Sequence, residues 1–144
     1  MSEFNIVGDN EPMLLVSMNQ GESIFCESDS MVMIEQNLAI DGKLRGGLFQ
    51  SFMRKFTTGE SLFQPQIKAV KGGGDCLLSP NIDGSLQILD VGPQQYVLSD
   101  GVFLAATEQV EITAKVQTNI GGALFGGTGG FVIMQTNGHG KLCV

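Results

Sequence analysis

The sequence predicts an all-β fold, and three observations carry the prediction. Short apolar runs recur about every ten residues and are separated by turn-forming residues. Twenty of the 144 residues are glycine, which opposes helix interiors and suits turns and bulges. In the run 110–116, Val110, Ile112, Ala114 and Val116 alternate with Glu111, Thr113 and Lys115, the period-two pattern of a strand with one solvated face.

The first run, Met13-Leu14-Leu15-Val16, ends at Asn19-Gln20-Gly21. Ser23 to Cys26 and Met31 to Ile34 read as brief strands around Ser28-Asp29-Ser30. Asp41-Gly42, Asp83-Gly84 and Asp100-Gly101 are pairs that favour a tight hairpin turn, where positive φ is required. Leu86 to Asp90, Tyr96 to Leu98, Val102 to Ala105 and Val110 to Val116 follow, and Phe131 to Met134 and Leu142 to Val144 close the series. One segment departs from the pattern. Within 47–56, Leu48, Phe49, Phe52, Met53 and Phe56 recur at intervals of three and four, which predicts a short helix that must dock to be stable.

The chain contains two internal echoes. Gly21-Glu22-Ser23-Ile24-Phe25 is repeated as Gly59-Glu60-Ser61-Leu62-Phe63, and Gly46-Gly47-Leu48-Phe49 as Gly122-Ala123-Leu124-Phe125. The second spacing is twice the first, which suggests duplicated β-modules. The expectation is one β-rich domain over 1–144 built from repeated units, with no linker that divides it.

The formal net charge of −7 argues against nucleic acid as a partner, because phosphate binding needs a positive surface. The charge is uneven. Residues 1–41 carry eight acids and no Lys or Arg, whereas residues 42–74 carry Lys43, Arg45, Arg54, Lys55, Lys68 and Lys71 against Glu60 alone. Those six cations are the candidate docking residues for an anion, an anionic membrane surface or a partner. The absence of Trp and the single Tyr96 leave little aromatic platform for stacking bases.

Three widely spaced cysteines, Cys26, Cys76 and Cys143, do not form a disulfide framework and suit a reducing compartment. The start of the sequence, Met1-Ser2-Glu3-Phe4, has no basic residue before an apolar run, so no secretory signal is expected. The uncharged stretch from Val116 to Gly140 is broken by glycines and is not expected to span a membrane as a helix.

No motif carries recognisable chemistry. His139 is the only histidine and lies in Gly138-His139-Gly140, where a polar residue at a hairpin tip is the plain reading. No Cys or His pair has zinc-site spacing, and neither a metal nor a cofactor is expected. Lys71-Gly72-Gly73-Gly74-Asp75 and Gly126-Gly127-Thr128-Gly129-Gly130 lack the Gly-Lys-Ser/Thr ending of a phosphate loop and read as tight turns or close backbone contacts. An enzyme would need paired acids, or His139, in a pocket.

The order of several short motifs resembles the altered inheritance of mitochondria protein 24 family over nearly the whole chain. They are Gly21-Glu22, Ser30-Met31-Val32-Met33, Gly46-Gly47, Gly59-Glu60-Ser61-Leu62-Phe63, Gly101-Val102-Phe103-Leu104-Ala105, Leu124-Phe125-Gly126-Gly127-Thr128-Gly129-Gly130-Phe131 and Gly138-His139-Gly140. The resemblance implies duplicated double-stranded β-helix or β-sandwich units similar to the trp RNA-binding attenuation protein fold. It does not imply RNA binding, since a shared fold is not a shared function. It brings no catalytic residues. It implies a cytoplasmic place in a bacterium and a mitochondrial one in a eukaryote. Members of the family continue past the position of Val144, so the chain is expected to be a fragment or a short variant.

The function expected from these readings is a non-enzymatic β-scaffold acting through self-association, as a homo-oligomer, or through a protein partner. The alternative is a module that binds a small ligand or an anionic membrane surface through the basic 43–71 segment.

Overall fold

The computed structural model describes residues 1–41, 64–99, 101–117 and 131–144. Among these residues every regular element is a strand, and the strands form three antiparallel sheets. The helix expected over 47–56 lies outside the described residues, as do three of the four echo segments.

The front sheet contains β1 (Glu3–Val7), β2 (Met13–Met18), β7 (Gly74–Leu78) and β4 (Met31–Ile34), in that order across the sheet. The middle sheet runs β5 (Leu38–Asp41), β6 (Gln66–Ala69), β3 (Ser23–Cys26), β10 (Ala105–Thr107), β13 (Gly140–Cys143) and β8 (Ile88–Val91). The back sheet consists of β11 (Val110–Gln117), β12 (Phe131–Gly138) and β9 (Val97–Ser99).

Alternation along the strands builds two cores, one on each face of the middle sheet. In β3, Ile24 and Cys26 point to the front core, where they meet Leu14, Val16, Cys76 and Leu78 of the front sheet. Their neighbour Phe25 points the other way and packs with Leu98, Val110 and Met134 of the back sheet. The same division separates Ala105 from Ala106 in β10 and Cys143 from Leu142 in β13. A strand covered on both faces cannot alternate apolar and polar residues, so all four residues of β3 are buried. The alanines of β10 sit at the centre of the middle sheet, where two layers press on one strand and small side chains fit.

Several expected turns have a different role. Asp83-Gly84 lies in the segment that carries the chain from β7 in the front sheet to β8 in the middle sheet, and closes no hairpin. Gly101, at φ 82, sits where the chain passes from β9 in the back sheet to β10 in the middle sheet. Gly138-His139-Gly140 is also not a hairpin tip. β12 belongs to the back sheet and β13 to the middle sheet, so these three residues turn a single line of chain from one layer into the next. Both glycines have positive φ, at 89 and 142, which permits that turn. The expected strand 102–105 begins only at Ala105. The preceding Phe103 and Leu104 are buried in opposite cores, and Leu104 bonds in irregular geometry to Cys143 and Glu27.

Candidate interaction surface

The six basic residues expected to form a docking site are only partly placed. Lys43, Arg45, Arg54 and Lys55 lie outside the described residues. Lys68 is exposed on β6, opposite Ser23 and Ala39, and Lys71 is exposed in the loop that follows. His139 makes a backbone bond to the Gln109 carbonyl at 3.3 Å and sits at the layer change. Among the described residues, no group of three or more His, Cys, Asp or Glu is placed to hold a metal ion.

The glycine-rich 71–75 loop acts by close approach, as the sequence suggests. A Cβ on Gly73 would lie 2.8 Å from the Met18 carbonyl oxygen, and one on Gly74 would press on Leu38 and Glu35. Beside it, the Glu22 carboxylate accepts hydrogen bonds from the Asn19 amide and the Ser2 hydroxyl and pairs with the Met1 amine. Partial burial pushes the Glu22 carboxyl up, but these donors outweigh it and hold the carboxyl below its usual range.

The three cysteines meet in the front core. Cys26 and Cys143 both stand in register with Ala105 from opposite sides, and Cys76 faces them from the front sheet. All three are free thiols. Burial pushes Cys26 up to about 11, against a bond from Ser30 that lowers it and with Glu27 raising it further. Burial likewise pushes Cys76 and Cys143 up to about 12. The thiolate is the reactive form and is a trace species here at neutral pH. In the native protein at pH 8, a chromogenic disulfide reagent should therefore titrate none of the three, and in guanidinium it should titrate all three. Rapid native labelling would show that the core opens.

The surface that stands out is the outer face of the front sheet. In β2, Leu14, Val16 and Met18 are buried in the front core, so Met13, Leu15 and Ser17 face outward. In β7, Cys76 and Leu78 point in, and Leu77 and Asp75 point out. Register joins Leu15 to Leu77 and Leu77 to Met33, giving an apolar row across three strands, and Val7 beside Met13 extends it. The next row is acidic. Glu3 stands opposite Ser17, Ser17 opposite Asp75, and Glu35 is tied to Asp75, whose amide donates to the Glu35 carboxylate at 3.2 Å.

This face ends at β4. The strand is Met-Val-Met-Ile, with Met31 42%, Val32 53% and Met33 45% exposed, and among the described residues its only strand neighbour is β7. The outer face of the back sheet is different. Its rows include Glu111 with Asn137, Thr113 with Gln135 and Val97, and Ile133 with Ser99, a more polar surface than that of the front sheet. One chain thus presents a more polar outer sheet face and an apolar one. Sequence reasoning passed over the apolar face, although its signal is present. Met13-Leu14-Leu15-Val16 and Met31-Val32-Met33-Ile34 are unbroken apolar runs, which in a strand mean two apolar faces rather than one.

Among the described residues, no helix is long and apolar enough to cross a membrane. The family profile described as mitochondrial biogenesis AIM24 matches residues 4–144. An uncharacterized protein of Streptococcus pyogenes serotype M6 is 36% identical over 137 residues, covering 91% of this chain and 54% of the relative. A crystal structure of a Streptococcus pyogenes protein, solved as a structural-genomics target, superposes with a TM-score of 0.79 at 32% identity, covering 99% of this chain and 63% of that one. The chain spans about half the length of the curated relative it matches. A profile match over almost every residue, together with the same fold in a relative of this identity, shows that the chain belongs to the mitochondrial biogenesis AIM24 family.

Proposed function

We propose that this chain is a non-enzymatic β-scaffold that binds another polypeptide through the outer face of its front sheet. The observation that carries the reading is the apolar row Leu15, Leu77 and Met33, continuous with the exposed apolar strand β4. A solvated antiparallel sheet face is ordinarily polar, as the back sheet of this same chain more nearly is, and a contiguous apolar patch marks a contact surface. Free cysteines throughout the core support a reducing compartment, the cytoplasm in a bacterium. Of the expected modes of association, a partner is favoured over a second copy, because the row beside the apolar one is acidic and two such faces would oppose like charges.

The test is site-specific photo-crosslinking in the native cell. A benzophenone amino acid at position 33 should give a discrete adduct with one protein. That protein, identified by mass and purified, should form the same adduct in vitro. The same probe at position 97, on the more polar outer face of the back sheet, should give none. If position 33 yields no adduct, or both positions yield the same smear, the scaffold reading fails. An adduct of twice the chain's mass would mean self-association instead.

A further inference from the structure

We infer that β4 accepts an additional strand from the partner, and that this strand is apolar in its middle and carries lysine or arginine at both ends. The inference rests on the scaffold reading above and adds the mode of binding and the chemistry of the partner.

Exposed edge strands offer unpaired backbone N–H and C=O groups, and natural proteins usually blunt them with charge or proline. Among the described residues, four of the five other edges follow that rule, and the fifth, β9, has no charge or proline but is only three residues long. β1 carries Glu3 and Asn5, β5 ends in Asp41, and β8 carries Asp90, which is paired with Lys141. β4 has no charged or proline residue within it. Its protections are a register irregularity between Met31 and Met33 and the acids at its two ends, Asp29 and Glu35. Both acids are exposed, and the two ion pairs among the described residues involve neither of them.

Those acids select the occupant. If β4 paired with its own copy about a twofold axis at Val32, Met31 would meet Met33, and Asp29, in the turn just before the strand, would come near Glu35 at both ends. Shifting the register by a residue or two keeps the acidic ends close together. Like charges placed opposite each other across strands are unfavourable, so the strand resists its own copy. The same arrangement attracts a strand of the form cation, apolar run, cation. Main-chain hydrogen bonds would supply affinity, and alternate side chains would lie against the Leu15, Leu77 and Met33 row. The acidic row of Glu3, Asp75 and Glu35 extends the preference for a basic partner over the face as well as along the edge.

The experiment uses the full chain and two synthetic peptides, Lys-Thr-Val-Ile-Val-Thr-Lys and its counterpart with Glu at both ends. Binding is read by fluorescence anisotropy and by amide hydrogen exchange at residues 31–34. The Lys-ended peptide should bind tighter than the Glu-ended one by on the order of tenfold at low salt, with the margin shrinking as salt rises. Exchange at 31–34 should slow only when the Lys-ended peptide is present. In the double variant Asp29→Asn, Glu35→Gln the margin should collapse to about twofold or less. Both substitutions spare the fold. Asn tolerates the φ of 63 found at Asp29, and the Gln carbonyl still accepts from the Asp75 amide. Equal binding of the two peptides, no binding of either, or binding without protection of 31–34 would overturn the inference. In each of those cases a single-partner adduct at position 33 would leave the scaffold reading standing, and absence of that adduct would remove both.

Discussion

Replacing Gly140 with alanine should destabilise the chain by about 3 kcal/mol or more, a large part of the 5–15 kcal/mol that holds a typical domain together. Gly140 is the second glycine of the layer change between β12 and β13, and its φ of 142 is one that L side chains rarely adopt. The added Cβ would overlap the Thr107 hydroxyl oxygen and come within 3.1 Å of a Val110 methyl. Thr107 has nowhere to go. It is buried at the end of β10, and its hydroxyl accepts a hydrogen bond from the Lys141 amide at 3.0 Å, so moving it would leave that amide unpaired. Urea unfolding should show a lower midpoint with an unchanged slope. Two companions locate the cause. Gly84→Ala, whose Cβ meets nothing within 4 Å, should be nearly neutral. Thr107→Ala placed in the Gly140→Ala background should cost less than it does alone, a coupling of about 1 kcal/mol or more. Additive behaviour would mean that the contact with Thr107 is not what makes glycine necessary.

This layer change also shows what the sequence conveys and what it withholds. Strand positions are local properties. Ser23–Cys26 and Met31–Ile34 fall where the apolar runs place them, and β11 keeps its predicted alternation, with Val110 and Ala114 inward and Glu111 and Thr113 outward. Four strands are hidden in the sequence by their composition, among them β5, whose end carries the Asp41-Gly42 turn signal. β1 and β6 mix polar residues into short segments, and β7 begins within a glycine run that reads as a loop. Sheet membership is not a local property. An Asp-Gly or Gly-His-Gly segment signals a change of direction, but the same backbone turn can close a hairpin or move the chain to another layer. Which of these occurs depends on what packs on each face. The candidate surface was hidden for a related reason. Charge is conspicuous in a sequence, so the six cations stand out, whereas the outer apolar row is formed by Leu15, Leu77 and Met33, residues far apart in the chain that only register brings together.

Leu14 and Leu15 are adjacent, chemically identical and on opposite faces of β2, and substituting each should give opposite results. Leu14 is fully buried in the front core between the front and middle sheets. Leu14→Ala should cost about 2–5 kcal/mol, from lost burial and the cavity left between two packed layers. Leu15→Thr places a good strand former on the outer face and should cost less than about 1 kcal/mol. If stability were the only demand on this sheet, position 15 would be free to be polar, as Thr113 and Gln135 are on the outer face of the back sheet. The scaffold reading therefore predicts a second difference. Leu15→Thr should keep the melting temperature close to that of the parent chain and yet abolish the adduct formed from position 33, since Leu15 lies in the same row through Leu77. A large loss of stability in Leu15→Thr would show that another part of the molecule already covers this face, and the row would then belong to a third core rather than to a partner. Retained stability with a lost adduct would separate the two faces of one strand by function, one holding the fold together and the other open to a second polypeptide.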